Sequence, residues 1–176
     1  AGEDGVAAVS IIMYLQFLCI GIYFGFSMGL STPLGYAYGD RNFSVCRVLE
    51  KYAYRFFAIA PIILYGCTYL LAPIGVYFFA SPGSTVFDMA VSGLRLYGLG
   101  FLFSGINIFA AIRMMTYGKG YISGMITFLR SFALLLLFLT VLPRFLELNG
   151  IWLAVPAAEI LTLIVALWTL RKKTVV

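Results

Sequence analysis

Histidine is absent from the 176-residue sequence, and charge is scarce: Asp, Glu, Lys and Arg make up 11% of it. Without histidine there is no His-based zinc site, no imidazole general base and no Ser-His-Asp triad. The three cysteines, Cys19, Cys46 and Cys67, form no Cys-x-x-Cys, so neither a metal site nor a disulfide framework is indicated. No cofactor is expected. The shortage of charge also excludes disorder, which needs high charge and low hydrophobicity. Soluble domains are about one-quarter charged. With 62% hydrophobic residues, this chain could not keep its apolar surface from water, so a free-standing soluble enzyme is excluded. What remains is an all-α, polytopic membrane helix bundle with the lipid bilayer as its first partner. The net charge of +5 is read as a record of topology, not as a nucleic-acid surface.

A hydrocarbon core of about 30 Å takes about 20 apolar residues per helix. Five stretches qualify, at residues 6–36, 50–80, 88–114, 121–142 and 150–170. They are separated by Gly39-Asp40-Arg41-Asn42, by Ser81-Pro82-Gly83-Ser84, by Gly118-Lys119-Gly120 and by the segment from Pro143 to Gly150. The runs are continuous rather than alternating, which argues against a β-barrel.

Basic residues alternate between the ends. Arg41, Arg47, Lys51 and Arg55 follow the first span, Arg113 and Lys119 flank the loop after the third, and Arg171, Lys172 and Lys173 follow the fifth. Nine of the twelve bases therefore fall on one side, which the positive-inside rule makes cytoplasmic. The chain is expected in a plasma or inner membrane with its N-terminus outside and its C-terminus inside. An external start without Met or a basic leader is expected of a piece of a longer chain, with at least one helix upstream.

In the third span Gly93, Tyr97, Gly100, Ser104, Asn107 and Ala111 recur at steps of four and three. At about 100° per residue they form one stripe under about 90° wide. Leu96, Leu99, Leu102, Phe103, Ile106 and Phe109 are expected to face lipid. Two readings are open: Tyr97, Ser104 and Asn107 line a pathway, or the stripe packs helices together. In the first span Gly21, Gly25 and Gly29 form consecutive G-x-x-x-G steps, and Gln16, Tyr23 and Ser27 lie opposite. Neither face suits lipid, so this helix is expected to be surrounded by protein, or by protein and a cavity lined by Gln16, Tyr23 and Ser27. Pro61, Pro73 and Pro156 are candidate hinges or fixed bends.

Arg130 and Glu159 fall near the middle of the fourth and fifth spans. A lone charge there costs at least about 2.5–3.5 kcal/mol, so such groups pair or function. Glu159 and Arg130 either form a structural ion pair on antiparallel helices, or Glu159 is a cation- or proton-binding carboxylate facing Thr162, Ala166 and Thr169. Trp152, Tyr69 and Tyr77 are assigned to an interfacial aromatic belt. Arg47, Lys51 and Arg55, four residues apart, make one basic helical face.

The stretch from Gly25 to Gly39, GFSMGLSTPLGYAYG, resembles the second helix of a lobe in multidrug and toxic compound extrusion (MATE) transporters. Residues 114–120, MMTYGKG, resemble the inner end of the tenth helix in that family. Arg130, the Leu-rich run to Pro143 and residues 149–159, NGIWLAVPAAE, resemble its last two helices. The resemblance implies that the five spans are helices eight to twelve, most of a six-helix C-terminal lobe, with helix seven and the N-terminal lobe as partners outside this chain. It also implies exchange of Na⁺ or H⁺ for bulky, often cationic drugs (small organic cations as ligands) by alternating access. Met28 and Ser31 stand where the family often has Gln, and the third span offers Asn107 where some members have an acid. The alternatives are a flippase for lipid-linked oligosaccharide precursors, for which Arg113 and Arg130 are the candidate cavity bases, and a non-transporting scaffold subunit. An intramembrane enzyme is disfavoured, since paired mid-depth aspartates, a Ser with His and a metal motif are all missing.

Overall fold

The computed structural model describes residues 2–171. Lys172 and Lys173, two of the bases used to orient the chain, lie outside the described residues. Five helices are long and apolar enough to cross a membrane: α1 (Gly2–Gly39), α2 (Phe43–Tyr77), α3 (Thr85–Thr116), α4 (Gly120–Val141) and α5 (Pro143–Arg171). Asn42 starts α2 by accepting a hydrogen bond from the Val45 amide at 3.3 Å, and Ser84 starts α3 in the same way through Phe87, at 3.2 Å. Each side chain satisfies an amide that the first helical turn cannot. The Asn42 cap starts α2 seven residues ahead of the expected residue 50, so that Arg47 joins Lys51 and Arg55 inside the helix. The segment from Pro143 is helical rather than a loop, and bends at Glu147, whose φ is 50°. Gly150 lets it fold back onto α4: a Cβ there would lie 2.5 Å from the Leu142 carbonyl.

Within this chain, α3 is covered on both faces while α1 is open on its glycine face. α3 is the centre of the bundle, touching all four others. Its stripe is buried except for a half-buried Tyr97. Its expected lipid face is covered too, with Phe109 only 1% exposed and Leu96, Leu99, Leu102, Phe103 and Ile106 partly buried. α1 lies at the periphery. Gly21, Gly25 and Gly29 are exposed, with nothing within 4 Å of a Cβ placed on any of them. The glycines that meet neighbours are on α3: a Cβ on Gly93 would lie 2.8 Å from both Ile12 and Trp152, and one on Gly105 2.7 Å from Phe57. Trp152 is therefore a core residue, 2% exposed, and not part of an interfacial belt.

The interior is layered along the bundle. Ile12, Val76, Ala90, Leu94 and Trp152 fill the end near the α2–α3 turn. Tyr23, Phe57, Phe101, Ile108 and Phe109 fill the middle, with Ala110, Met114, Ile126 and Ala166 beyond. Leu34, Cys46 and Tyr117 close the end that carries the α1–α2 and α3–α4 turns.

Candidate functional site

Two backbone irregularities and a proline surround one polar site. A 3-10 turn at Gly98–Gly100 interrupts α3. Pro156 sits opposite in α5, its nitrogen 3.5 Å from where a Gly100 Cβ would be. A π-helical turn, Leu129–Ala133, interrupts α4 and contains Arg130. Such wide turns are rare and recur at functional positions.

Arg130 reaches Glu159 from that turn, Nε to Oε1 2.6 Å. Asn107 takes the other carboxylate oxygen: its Nδ2 donates to Oε2 at 2.7 Å and to the Glu159 backbone carbonyl at 2.9 Å. Glu159 is 4% exposed, so its charge is tolerable only because both oxygens are held. The pair predicted from matching depth is thus formed. Asn107, expected to line a pathway or to join helices, does the second.

Beside the pair lies a cavity of about 210 Å³, whose polar lining comes from Gln16, Tyr97, Ser104, Arg130, Ser131 and Glu159. The Tyr97 hydroxyl donates to Gln16 Oε1, and Ser104 Oγ donates to the Gly100 carbonyl at 2.8 Å. Of the residues expected to line a cavity, the structure brings together Gln16, Tyr97 and Ser104. Tyr23, Ser27 and Asn107 are not in this wall. Tyr23 is fully buried among aromatic rings and donates to the Phe101 carbonyl at 2.9 Å. Ser27 is 1% exposed, and its hydroxyl has no partner among the described residues. Their helix turns them into the α3 interface, because the open side of α1 is the glycine face. Thr162 and Thr169 donate back to their own helix, at 2.8 and 2.7 Å.

A second buried pair was not expected. Arg113 Nε meets Glu50 Oε1 at 2.5 Å, the Tyr117 hydroxyl donates to the same oxygen at 2.6 Å, and Arg113 is 3% exposed. Arg113 thus belongs to the interior rather than to the basic surface. The available signal was the position of Glu50, which shares its helical face with Cys46, Ala53 and Phe57, at steps of four, three and seven. Burial pushes the Tyr117 phenol above its ordinary range, so it stays a proton donor to Glu50.

The family model described as MatE matches residues 1–142. No curated protein matches the chain in sequence. Among solved structures, the chain is similar to a MOP superfamily transporter from Pyrococcus furiosus, with 22% identity and a TM-score of 0.86 over 96% of this chain and 38% of that one. It is similar also to the outward-facing conformation of a multidrug resistance MATE family transporter, with 22% identity and a TM-score of 0.88 over 96% and 38%. A third is the MATE transporter VcmN of Vibrio cholerae in its bent form, with 21% identity and a TM-score of 0.88 over 98% and 39%. The chain therefore spans under two-fifths of the length of the solved transporters it matches. With five helices able to span a membrane packed as in those transporters, and with most of its length matched by the family model, the chain belongs to the MatE family of MATE transporters.

Proposed function

We propose that this chain works as one lobe, the C-terminal one, of a two-lobed secondary transporter that exports bulky, often cationic compounds in exchange for Na⁺ or H⁺. Its partner is the N-terminal lobe, and the two alternate access across a plasma or inner membrane, with the basic end of this bundle in the cytoplasm. It performs no covalent chemistry. The observation that carries the proposal is the Glu159–Arg130 pair, bridged by Asn107 beside a polar cavity, halfway along otherwise apolar helices. Intramembrane ion pairs of this kind mark ion or proton pathways. Glu159 is the coupling group: a proton or Na⁺ competes with Arg130 for Oε1, and its arrival frees α4 from α5. Gln16, Tyr97 and Ser104 are assigned to the aqueous face of that site. At about 210 Å³ the cavity is smaller than the roughly 300–1,000 Å³ of drug-sized sites, so the bulky compound is assigned to the space between lobes.

A flippase for lipid-linked precursors has less support. Such a protein needs several bases in its cavity, and Arg113 is neutralised by Glu50 away from this one. The deciding experiment uses proteoliposomes of the two-lobed transporter carrying Glu159→Gln. Ion-gradient-driven efflux of a fluorescent organic cation should disappear while the protein still assembles. Unchanged gradient-driven efflux would refute the role of Glu159.

A further inference from the structure

The cavity beside Glu159 is unbalanced in its hydrogen-bonding groups. Its one carboxylate is taken on both sides, Oε1 by Arg130 and Oε2 by Asn107. Gln16 Oε1 already accepts from Tyr97. Donors remain. Arg130 uses only Nε on Glu159, and no described residue accepts from its two terminal nitrogens. The Gln16 amide nitrogen and the Ser131 hydroxyl have no partner among the described residues, and both residues line the cavity. A guanidinium has five N–H donors and no acceptor. Arg130, Gln16 and Ser131 therefore line a polar cavity with donors open to an acceptor that enters it.

We infer that this cavity holds an anionic oxygen group, a carboxylate or phosphate, on the free donors of Arg130, Gln16 and Ser131. The inference goes beyond cation export and does not depend on it, since at about 210 Å³ the cavity is too small for the exported compound. The π turn suits the role: it carries Arg130, which bonds Glu159 through Nε and also lines the cavity. Two sources present this group, a soluble anion and the headgroup of an anionic amphiphile, and one experiment separates them.

The test compares two amphiphiles of equal chain length and opposite charge, dodecyl phosphate and dodecyltrimethylammonium, on the purified full chain in neutral detergent. Binding is counted by native mass spectrometry. Wild type binds dodecyl phosphate in preference. Arg130→Gln weakens that binding by at least about tenfold, the loss expected of a hydrogen bond to a charged group. Glu159→Gln removes the competing carboxylate and strengthens it several-fold, the opposite sign from a cation site. The double variant Arg130→Gln/Glu159→Gln carries no unpaired charge, so it folds even where the single Arg130 variant does not, and it too binds weakly. Lys51→Ala, on the exposed basic face, changes nothing. Displacement by millimolar inorganic phosphate identifies the soluble source, and resistance to it identifies the amphiphile headgroup. Preferential binding of dodecyltrimethylammonium that Glu159→Gln abolishes would overturn the inference, as would dodecyl phosphate binding that survives in both Arg130 variants.

Discussion

Arg130 and Glu159 meet at 2.6 Å halfway along α4 and α5, where each is the one charge in a long apolar run: Arg130 is alone from Gly120 to Val141, and Glu159 is alone from Leu148 to Leu170. Each makes the other tolerable. Removing one partner strands a charge away from water, which is worse than removing both. Arg130→Gln and Glu159→Gln should each lower stability by about 3–5 kcal/mol, while the double variant lies closer to wild type. Thermal unfolding in detergent of all four proteins gives the coupling energy, and additive effects would show that the pair contributes nothing.

Glycine substitutions should separate the packed helix from the open one. Gly105→Ala drives a methyl into Phe57, and Gly93→Ala into Trp152 and Ile12, within 2.8 Å. Overpacking of this kind costs about 1–3 kcal/mol. Gly150→Ala should cost more, since the obstacle is the Leu142 backbone, which cannot rotate aside. Gly25→Ala on α1 meets open space and should be neutral or slightly stabilising in this chain. Unfolding midpoints of the four variants test the order.

The Glu50–Arg113–Tyr117 cluster carries a pH signature. The folded phenol of Tyr117 titrates above its ordinary value of 10.0, chiefly through burial and then through Glu50. A pKa raised in the folded state gives stability that is complete below the unfolded pKa and is lost as pH rises through the folded one. Wild-type stability should therefore fall relative to Tyr117→Phe as pH climbs past 10. Parallel denaturation curves from pH 8 to 11 would show it, and a constant difference would contradict it.

Orientation can be read directly. Ser84→Cys sits at the turn between α2 and α3, and Lys119→Cys at the turn between α3 and α4, at opposite ends of α3. In intact cells a membrane-impermeant maleimide should label the first, and the second only after permeabilisation. The reverse pattern would invert the proposed topology.

The five spans were legible because uninterrupted apolar runs have few alternative uses. The Arg130–Glu159 pair was legible for a related reason: depth along antiparallel neighbours is close to a one-dimensional coordinate. Neighbour relations were not. Gly21, Gly25 and Gly29 have the spacing of a packing motif, yet nothing of this chain packs on them, because spacing states what a face permits and not what arrives there. Leu96 and Phe103 look lipid-facing for the same reason that core residues do: hydrocarbon and protein interior are equally apolar, so hydrophobicity does not separate them. Glu50 is hard to place from sequence because Arg47, Lys51 and Arg55 make the adjoining face basic, and charges in such company are usually solvated.

The π turn at Leu129–Ala133 has one more consequence, for how α4 is to be read. A turn with i→i+5 bonding holds about one residue more than its neighbours, and one residue is about 100° of rotation. The segments before and after it, Gly120–Phe128 and Leu134–Val141, are therefore two half-helices out of phase. A helical wheel drawn straight through α4 puts every side chain beyond residue 133 in the wrong sector. Comparisons that align this helix by a single angular period will blur its lipid and protein faces unless the wheel is restarted after Ala133.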